Sequence, residues 1–202
     1  MSFDIKPLPF PASTLNGLSE KLIASHHENN YSGAVKRLNA IHTKLGTLDF
    51  TQEAGFLLNG LKREELIAYN SMLLHEIYFD SLGGNGVLPV GPLCEAIERD
   101  FGSVERWQAE FSAMGKALGG GSGWVLLVQS ARDGKLSNQW AADHCHTLAG
   151  ALPILALDMY EHAYHIDYGA KAGAYVDAFM ANIDWQRAAI RWASHQPSGG
   201  LS

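Results

Sequence analysis

Asp158-Met159-Tyr160-Glu161-His162-Ala163-Tyr164 follows directly on the apolar run from Pro153 to Leu157, and its reading decides the fold. The apolar run predicts a buried strand, and the segment behind it predicts a helix over 160–166. A carboxylate and an imidazole thus stand four residues apart where a strand gives way to a helix. Burying Asp158 as an unpaired charge is costly, so it needs a partner there. A metal ion shared by Asp158 and His162 would supply one. The pattern D-x-x-x-H is short and arises often by chance, so its weight depends on the rest of the chain.

Upstream of that strand, Trp124-Val125-Leu126-Leu127-Val128 is short, apolar and partly β-branched, and predicts another buried strand. Arg132-Asp133-Gly134-Lys135 supplies a hairpin turn, and 136–143 predicts the returning strand. Helices are predicted over 93–101 and 103–118, the latter capped by Ser103 and ended by Gly119-Gly120-Gly121-Ser122-Gly123. That glycine cluster is followed by no Lys-Ser/Thr, which excludes a phosphate loop. Beyond the Asp158 segment, helices are predicted over 172–182 and 184–194, with a frayed tail from Gln196 to Ser202.

The first part of the chain reads as all-helical. A proline-rich lead-in over 1–17 precedes a helix capped by Ser19, opening with Leu22 and Ile23. Val35, Leu38, Ile41 and Leu45 give the next helix one buried face, with Gly33 a candidate kink. Residues 51–82 read as helix interrupted near Gly55 and Gly60. Gly83-Gly84-Asn85-Gly86 through Pro89 and Pro92 is the clearest break. The expected organisation is α+β: an N-terminal α-helical hairpin domain over 1–90, then an α/β domain with a three-stranded antiparallel sheet over 91–202.

Bulk properties narrow the function. The chain has 202 residues, 47% hydrophobic and 18% charged, an ordinary globular composition able to bury a core. A formal net charge of -6 argues against general binding to nucleic acid or acidic membranes. The start of the chain lacks the pattern of a signal peptide, and no apolar stretch approaches the ~20 residues of a spanning helix. Two cysteines, Cys94 and Cys145, suit a reducing compartment, and a cytoplasmic location is expected.

Two further histidine-bearing segments extend the Asp158/His162 pair. Ser25-His26-His27 lies near the end of the first helix, and His75 lies in Leu73-Leu74-His75-Glu76-Ile77-Tyr78-Phe79. Histidines on apolar helix faces are commonly satisfied core residues. Three imidazoles and one carboxylate together form a nitrogen-rich set with open positions, suited to iron or manganese redox chemistry and acceptable to zinc.

The order of these segments resembles the iron/manganese superoxide dismutase family, over nearly the whole chain. Lys6-Pro7-Leu8-Pro9-Phe10 is similar to its N-terminal L-P-x-L-P-Y/F, and His75 falls where the family has N-H-x-x-F/Y-W. Ile97 to Ser103 and Gly121-Ser122-Gly123-Trp124 match its linking helices and its G-S-G-W. Asp158 to Tyr164 matches D-x-W-E-H-A-Y with Tyr160 in place of tryptophan, and Asn182-Ile183-Asp184-Trp185 resembles the closing N-x-x-W.

The resemblance implies His26, His75, Asp158 and His162 as ligands of one iron or manganese ion per chain. Spacing from Ser19 and to Leu38-Asn39 selects His26 over His27. Phe79, Trp124 and Tyr160 would form an aromatic shell. Glu161 and Tyr164 would lie at a two-fold interface, the glutamate reaching the partner's ligand histidine, in a homodimer or homotetramer. The implied activity converts superoxide to dioxygen and hydrogen peroxide by alternate reduction and oxidation of the metal. The alternatives are a metal-binding protein of the same fold with little dismutase activity, or another small-molecule redox activity.

Departures from the family pattern motivate those alternatives. Asn30 and Ala34 stand where the family has a gateway histidine and tyrosine, and Tyr31 is a candidate to refill part of that space. Ser71 replaces the glutamine of iron-type members. The manganese-type glutamine falls in Ala142-Asp143-His144-Cys145-His146, where His144, or else His146, is the expected outer-sphere hydrogen bond donor to metal-bound solvent. Adjacent residues of a strand cannot all face one ion, so Cys145 reads as an inert thiol.

Overall fold

A computed structural model describes residues 2–196 of the chain. After a lead-in, helix α1 (Glu20–Ser25) opens on Ser19, whose side chain accepts from Leu22 N–H. It runs through a π-helical segment, His26–Tyr31, into α2 (Ser32–Leu45). In place of the candidate kink at Gly33, the winding changes just before it, from the π-helical segment to α2. The wider turn leaves His26 and Tyr31 both buried.

Helix α3 (Gly55–Asp80) packs against α2 as a helical hairpin. It passes Gly60 without interruption, contrary to the sequence expectation. A mid-helix glycine costs roughly 1 kcal/mol, which the packing of buried Ala68, Met72, Leu74 and Phe79 along the same helix outweighs. The lead-in is tied to this hairpin. Asn39 accepts from Phe3 N–H and donates to Phe3 C=O, at 2.8 and 2.9 Å.

The second half comprises α4 (Pro92–Phe101), α5 (Val104–Ala117), strands β1 (Trp124–Ser130), β2 (Leu136–Ala141) and β3 (Ala151–Asp158), then α6 (His165–Tyr168), α7 (Ala172–Ala181) and α8 (Trp185–Ser194). The antiparallel sheet has the order β2-β1-β3. Residues Trp124 to Val128 of the central strand are buried throughout, which explains their unbroken apolar run. Helix α5 covers β1, while α3 and α8 pack on β3. The β1–β3 register shifts between Leu127 and Val128, pairing Val128 with Pro153 and leaving Ile154 out of the ladder. A bulge on an edge strand is where a residue without N–H is tolerated.

Two further expectations are corrected. Residues 160–166 do not form one helix: a short 3-10 turn (Glu161–Ala163) is separated from α6 by Tyr164, whose φ of -145° is not helical. Strand β2 ends at Ala141, so His144, Cys145 and His146 lie in a loop and not on a strand. The tail expectation concerns mostly residues 197–202, which lie outside the described residues. The closing motif acts as a staple, because Asn182 exchanges hydrogen bonds with the Asn16 backbone and Asp184 caps α8. Among the described residues no helix is long and apolar enough to cross a membrane.

Candidate metal centre

Four elements meet where the hairpin faces the end of the sheet. The π-helical segment brings His26, α3 brings His75, the end of β3 brings Asp158 and the 3-10 turn brings His162. One ligand-type atom from each lies within 4.8 Å of all the others. Three Nε2 atoms approach a single carboxylate oxygen, Asp158 Oδ2, at 3.0 Å from His26, 3.2 Å from His162 and 3.4 Å from His75. His26, His75 and Asp158 are buried, and His162 keeps a partly exposed side chain.

The sheet register positions the carboxylate. Trp124 pairs across strands with Asp158, so the residues ending the Gly-Ser-Gly-Trp and opening the Asp-x-x-Glu-His motifs are neighbours. Gly123 precedes Trp124 at a φ of +129°, and a Cβ there would stand 2.2 Å from Ala141 O. Only glycine lets the backbone pass. Asp158 is further held by Tyr175, whose hydroxyl donates to its backbone carbonyl at 2.7 Å, and by Tyr160 N–H, which donates to Oδ1 at 2.9 Å.

The protonation pattern fits a cation. His75 Nδ1 lies 2.6 Å from Ser71 C=O, an acceptor, so Nδ1 carries the proton. Burial, reinforced by the charge of His26, pushes His75 down to about 3, which keeps the ring neutral. Its Nε2 then offers only a lone pair, has no hydrogen-bond partner, and faces Asp158 Oδ2. Burial alone would raise Asp158, but hydrogen bonds from and charges on His162 and His26 outweigh it and hold the carboxyl well below the usual range. An imidazole lone pair and a carboxylate oxygen facing each other in a dry cluster repel unless a cation lies between them. Three imidazole nitrogens and one carboxylate oxygen are a donor set for iron, manganese or zinc.

Aromatic rings enclose the cluster. Phe79 and Tyr78 lie 5.1 and 4.9 Å from the His26 ring, Trp124 5.2 Å from His75, and Tyr160 is stacked 5.3 Å from His162. His144 stacks on Tyr160 at 4.8 Å and accepts at Nδ1 from Trp124 Nε1–H at 3.1 Å. His146 instead pairs with Asp143 at 2.9 Å, its side chain more than half exposed. Of the two candidates, His144 is the one beside the cluster, 6.1 Å from the His75 ring.

Asn30, Ala34, Ser71 and His144 line one hollow of about 270 Å³. Tyr31 does not line it. Its hydroxyl accepts from Lys6 N–H and donates to Glu76, and it lines a separate hollow of about 370 Å³ with Phe79 and His27. The space beside Ala34 is thus not refilled by Tyr31. Tyr164 is buried and its hydroxyl accepts from Gly120 N–H at 3.2 Å, whereas Glu161 is exposed.

Sequence reasoning missed Ser71 as a backbone acceptor, Tyr78 and Tyr175. The four-residue spacing of Ser71 and His75 on one helix was a usable signal for the first. Nothing local to α7 marks Tyr175 as a partner of Asp158.

The sequence profile of the C-terminal domain of iron/manganese superoxide dismutases matches residues 89–191. A protein of Cupriavidus metallidurans named superoxide dismutase [Fe] is 71% identical over 194 residues, covering 96% of this chain and 98% of its own length. A Haloferax volcanii protein named superoxide dismutase [Mn] 2 is 35% identical over 197 residues, 95% of this chain and 96% of the relative. An Aquifex pyrophilus superoxide dismutase [Fe] is 36% identical over 179 residues, 85% and 82% of the two chains. Similarity of this extent, over both halves of the chain, places the protein in the iron/manganese superoxide dismutase family.

Proposed function

We propose that the protein is a superoxide dismutase using one iron or manganese ion per chain, with His26, His75, Asp158 and His162 as the ligands. The observation that carries this is the buried convergence of three Nε2 atoms on Asp158 Oδ2. The chemistry such an ion supplies is a pair of one-electron exchanges, by which one superoxide becomes dioxygen and a second, with two protons, becomes hydrogen peroxide.

The chain's residues supply geometry and shielding. Ser71 C=O and the Asp158 register fix the direction of His75 and the carboxylate. Phe79, Trp124 and Tyr160 exclude bulk water from the imidazoles, which strengthens local electrostatics. Trp124 fixes His144 with its proton on Nε2, a hydrogen-bond donor beside the cluster that stands in for the missing glutamines. The hollow beside Asn30 and Ala34 is the reading for substrate entry, since it reaches Ser71 and His144 from the surface.

Assembly through Glu161 and a cytoplasmic location belong to the same proposal. Glu161 is exposed and the adjacent His162 imidazole partly exposed, so a two-fold contact would pair each with the other in a second copy. The reading is tested by metal analysis of purified protein together with superoxide consumption after loading with iron or manganese. Metal bound at one per chain with rapid consumption is expected. Protein loaded at that ratio and consuming none would refute it.

A further inference from the structure

His144 stands in the loop between β2 and β3, yet its ring has to keep one position beside the cluster. Asp143 ties that loop to itself, its side chain accepting from Cys145 N–H at 2.6 Å and pairing with His146 at 2.9 Å. Two hydrogen bonds from other elements end on His144. Trp124 of β1 holds the ring at Nδ1. Asn70 of α3 holds the backbone, its Nδ2 donating to His144 C=O at 2.6 Å.

Asn70 is followed directly by Ser71, whose C=O lies 2.6 Å from His75 Nδ1. One turn of α3 therefore carries both the acceptor that orients the His75 imidazole and the amide that anchors His144. The two rings lie 6.1 Å apart. Leu74, directly before His75, has no polar group, so α3 reaches the loop through Asn70, one turn earlier. A side chain carried by a loop is placed less precisely than one on a helix unless a rigid element supports it. A ring pinned at Nδ1 alone can still pivot about that bond, and fixing the carbonyl of the same residue removes this freedom.

We infer that Asn70 is a positioning residue for the reaction: by holding His144 C=O against α3 it sets where His144 Nε2–H points beside the metal cluster. This rests on the superoxide reading above. Asn70→Ala removes the amide, and Asn70→Asp puts in its place an ionised carboxylate, which cannot donate. Asn70 is only partly buried and alanine favours helix, so Asn70→Ala should fold. In metal-loaded protein both variants are expected to lower kcat about 5-fold at unchanged metal content, less than the roughly 10-fold or more of a direct partner. The midpoint potential of the metal should shift as well.

Repeating Asn70→Ala in a His144→Ala background separates positioning from a merely structural bond. The carbonyl survives there, so the drop in Tm should be the same in both backgrounds. The effects on kcat and on the midpoint potential should vanish once the imidazole is gone. A shift in potential that is equal in both backgrounds, or absent from both, would overturn the inference. Metal-loaded protein that consumes no superoxide would instead defeat the parent reading, and the midpoint potentials would still decide the role of Asn70. Protein that takes up no metal would defeat both.

Discussion

Trp124 holds His144 in one tautomer: its indole N–H donates to Nδ1 across 3.1 Å, so the proton of the neutral ring sits on Nε2. Burial pushes the His144 imidazole below its ordinary value, which keeps it neutral. His144→Gln should retain a donor there, preserving metal content while shifting the redox potential or the metal preference. Trp124→Phe should lower activity about 10-fold at unchanged metal content, in line with other residues that orient groups around metal sites. Metal analysis and a redox titration check both. Loss of all metal from His144→Gln would put His144 among the ligands.

Asp158→Ala should abolish most metal binding, since it removes the single negative charge of the cluster. Metal bound at about 1,000 times its Kd would stabilise the native protein by about 4 kcal/mol. That corresponds to roughly 8–16 °C in Tm for a chain of this size. Unsubstituted protein should lose that increment on chelation, whereas Asp158→Ala should show none to lose. Equal metal content in the two proteins would remove Asp158 from the ligand set.

Ala34→Tyr should fold, because Ala34, although buried, lines a hollow of about 270 Å³. The change in stability is expected to stay within about 1 kcal/mol. A phenol so placed would narrow entry and add a proton-bearing group, so kcat and its pH profile should change while metal content does not. Thermal melting and steady-state kinetics across pH would show this. A fall in Tm of more than ten degrees would mean that the hollow does not extend to Ala34.

Tyr175→Phe leaves the Asp158 backbone carbonyl without its buried donor. An unsatisfied buried acceptor costs about 1–3 kcal/mol, so Tm should drop by roughly 2–12 °C. Metal affinity should weaken as well, because the carbonyl anchors the residue that bears the carboxylate. Unchanged values for both would show that the bond is not needed to place Asp158.

Glu161→Ala should shift a dimer toward monomer. Sedimentation velocity at low micromolar concentration is the measurement, with the unsubstituted protein expected to be dimeric or larger. The buried Tyr164 hydroxyl already has Gly120 N–H as partner, so Tyr164→Phe should weaken the fold and not the association. A monomeric unsubstituted protein would end the Glu161 proposal.

The sequence determined most of the secondary-structure elements, for reasons of local physics. The run Trp124 to Val128, short, partly β-branched and bounded by turn residues, suits a strand buried on both faces, and the 3-4 spacing of Val35, Leu38, Ile41 and Leu45 suits a helix with one buried face. The ordered motifs carried the family resemblance, which implied His26, His75, Asp158 and His162 as the ligand set. Tertiary structure decided what depends on contacts between distant segments. Gly60 sits in an unbroken helix because packing along α3 outweighs its propensity, and 160–166 breaks because Tyr164 leaves helical geometry, its ring stacked on Tyr175 and its hydroxyl bound to Gly120. That His144 and not His146 lies by the cluster follows from Trp124, twenty residues away, and that Tyr31 turns from Ala34 follows from Lys6 and Glu76. A side chain's partner across the fold leaves no periodic trace in its own segment, so those assignments needed three dimensions.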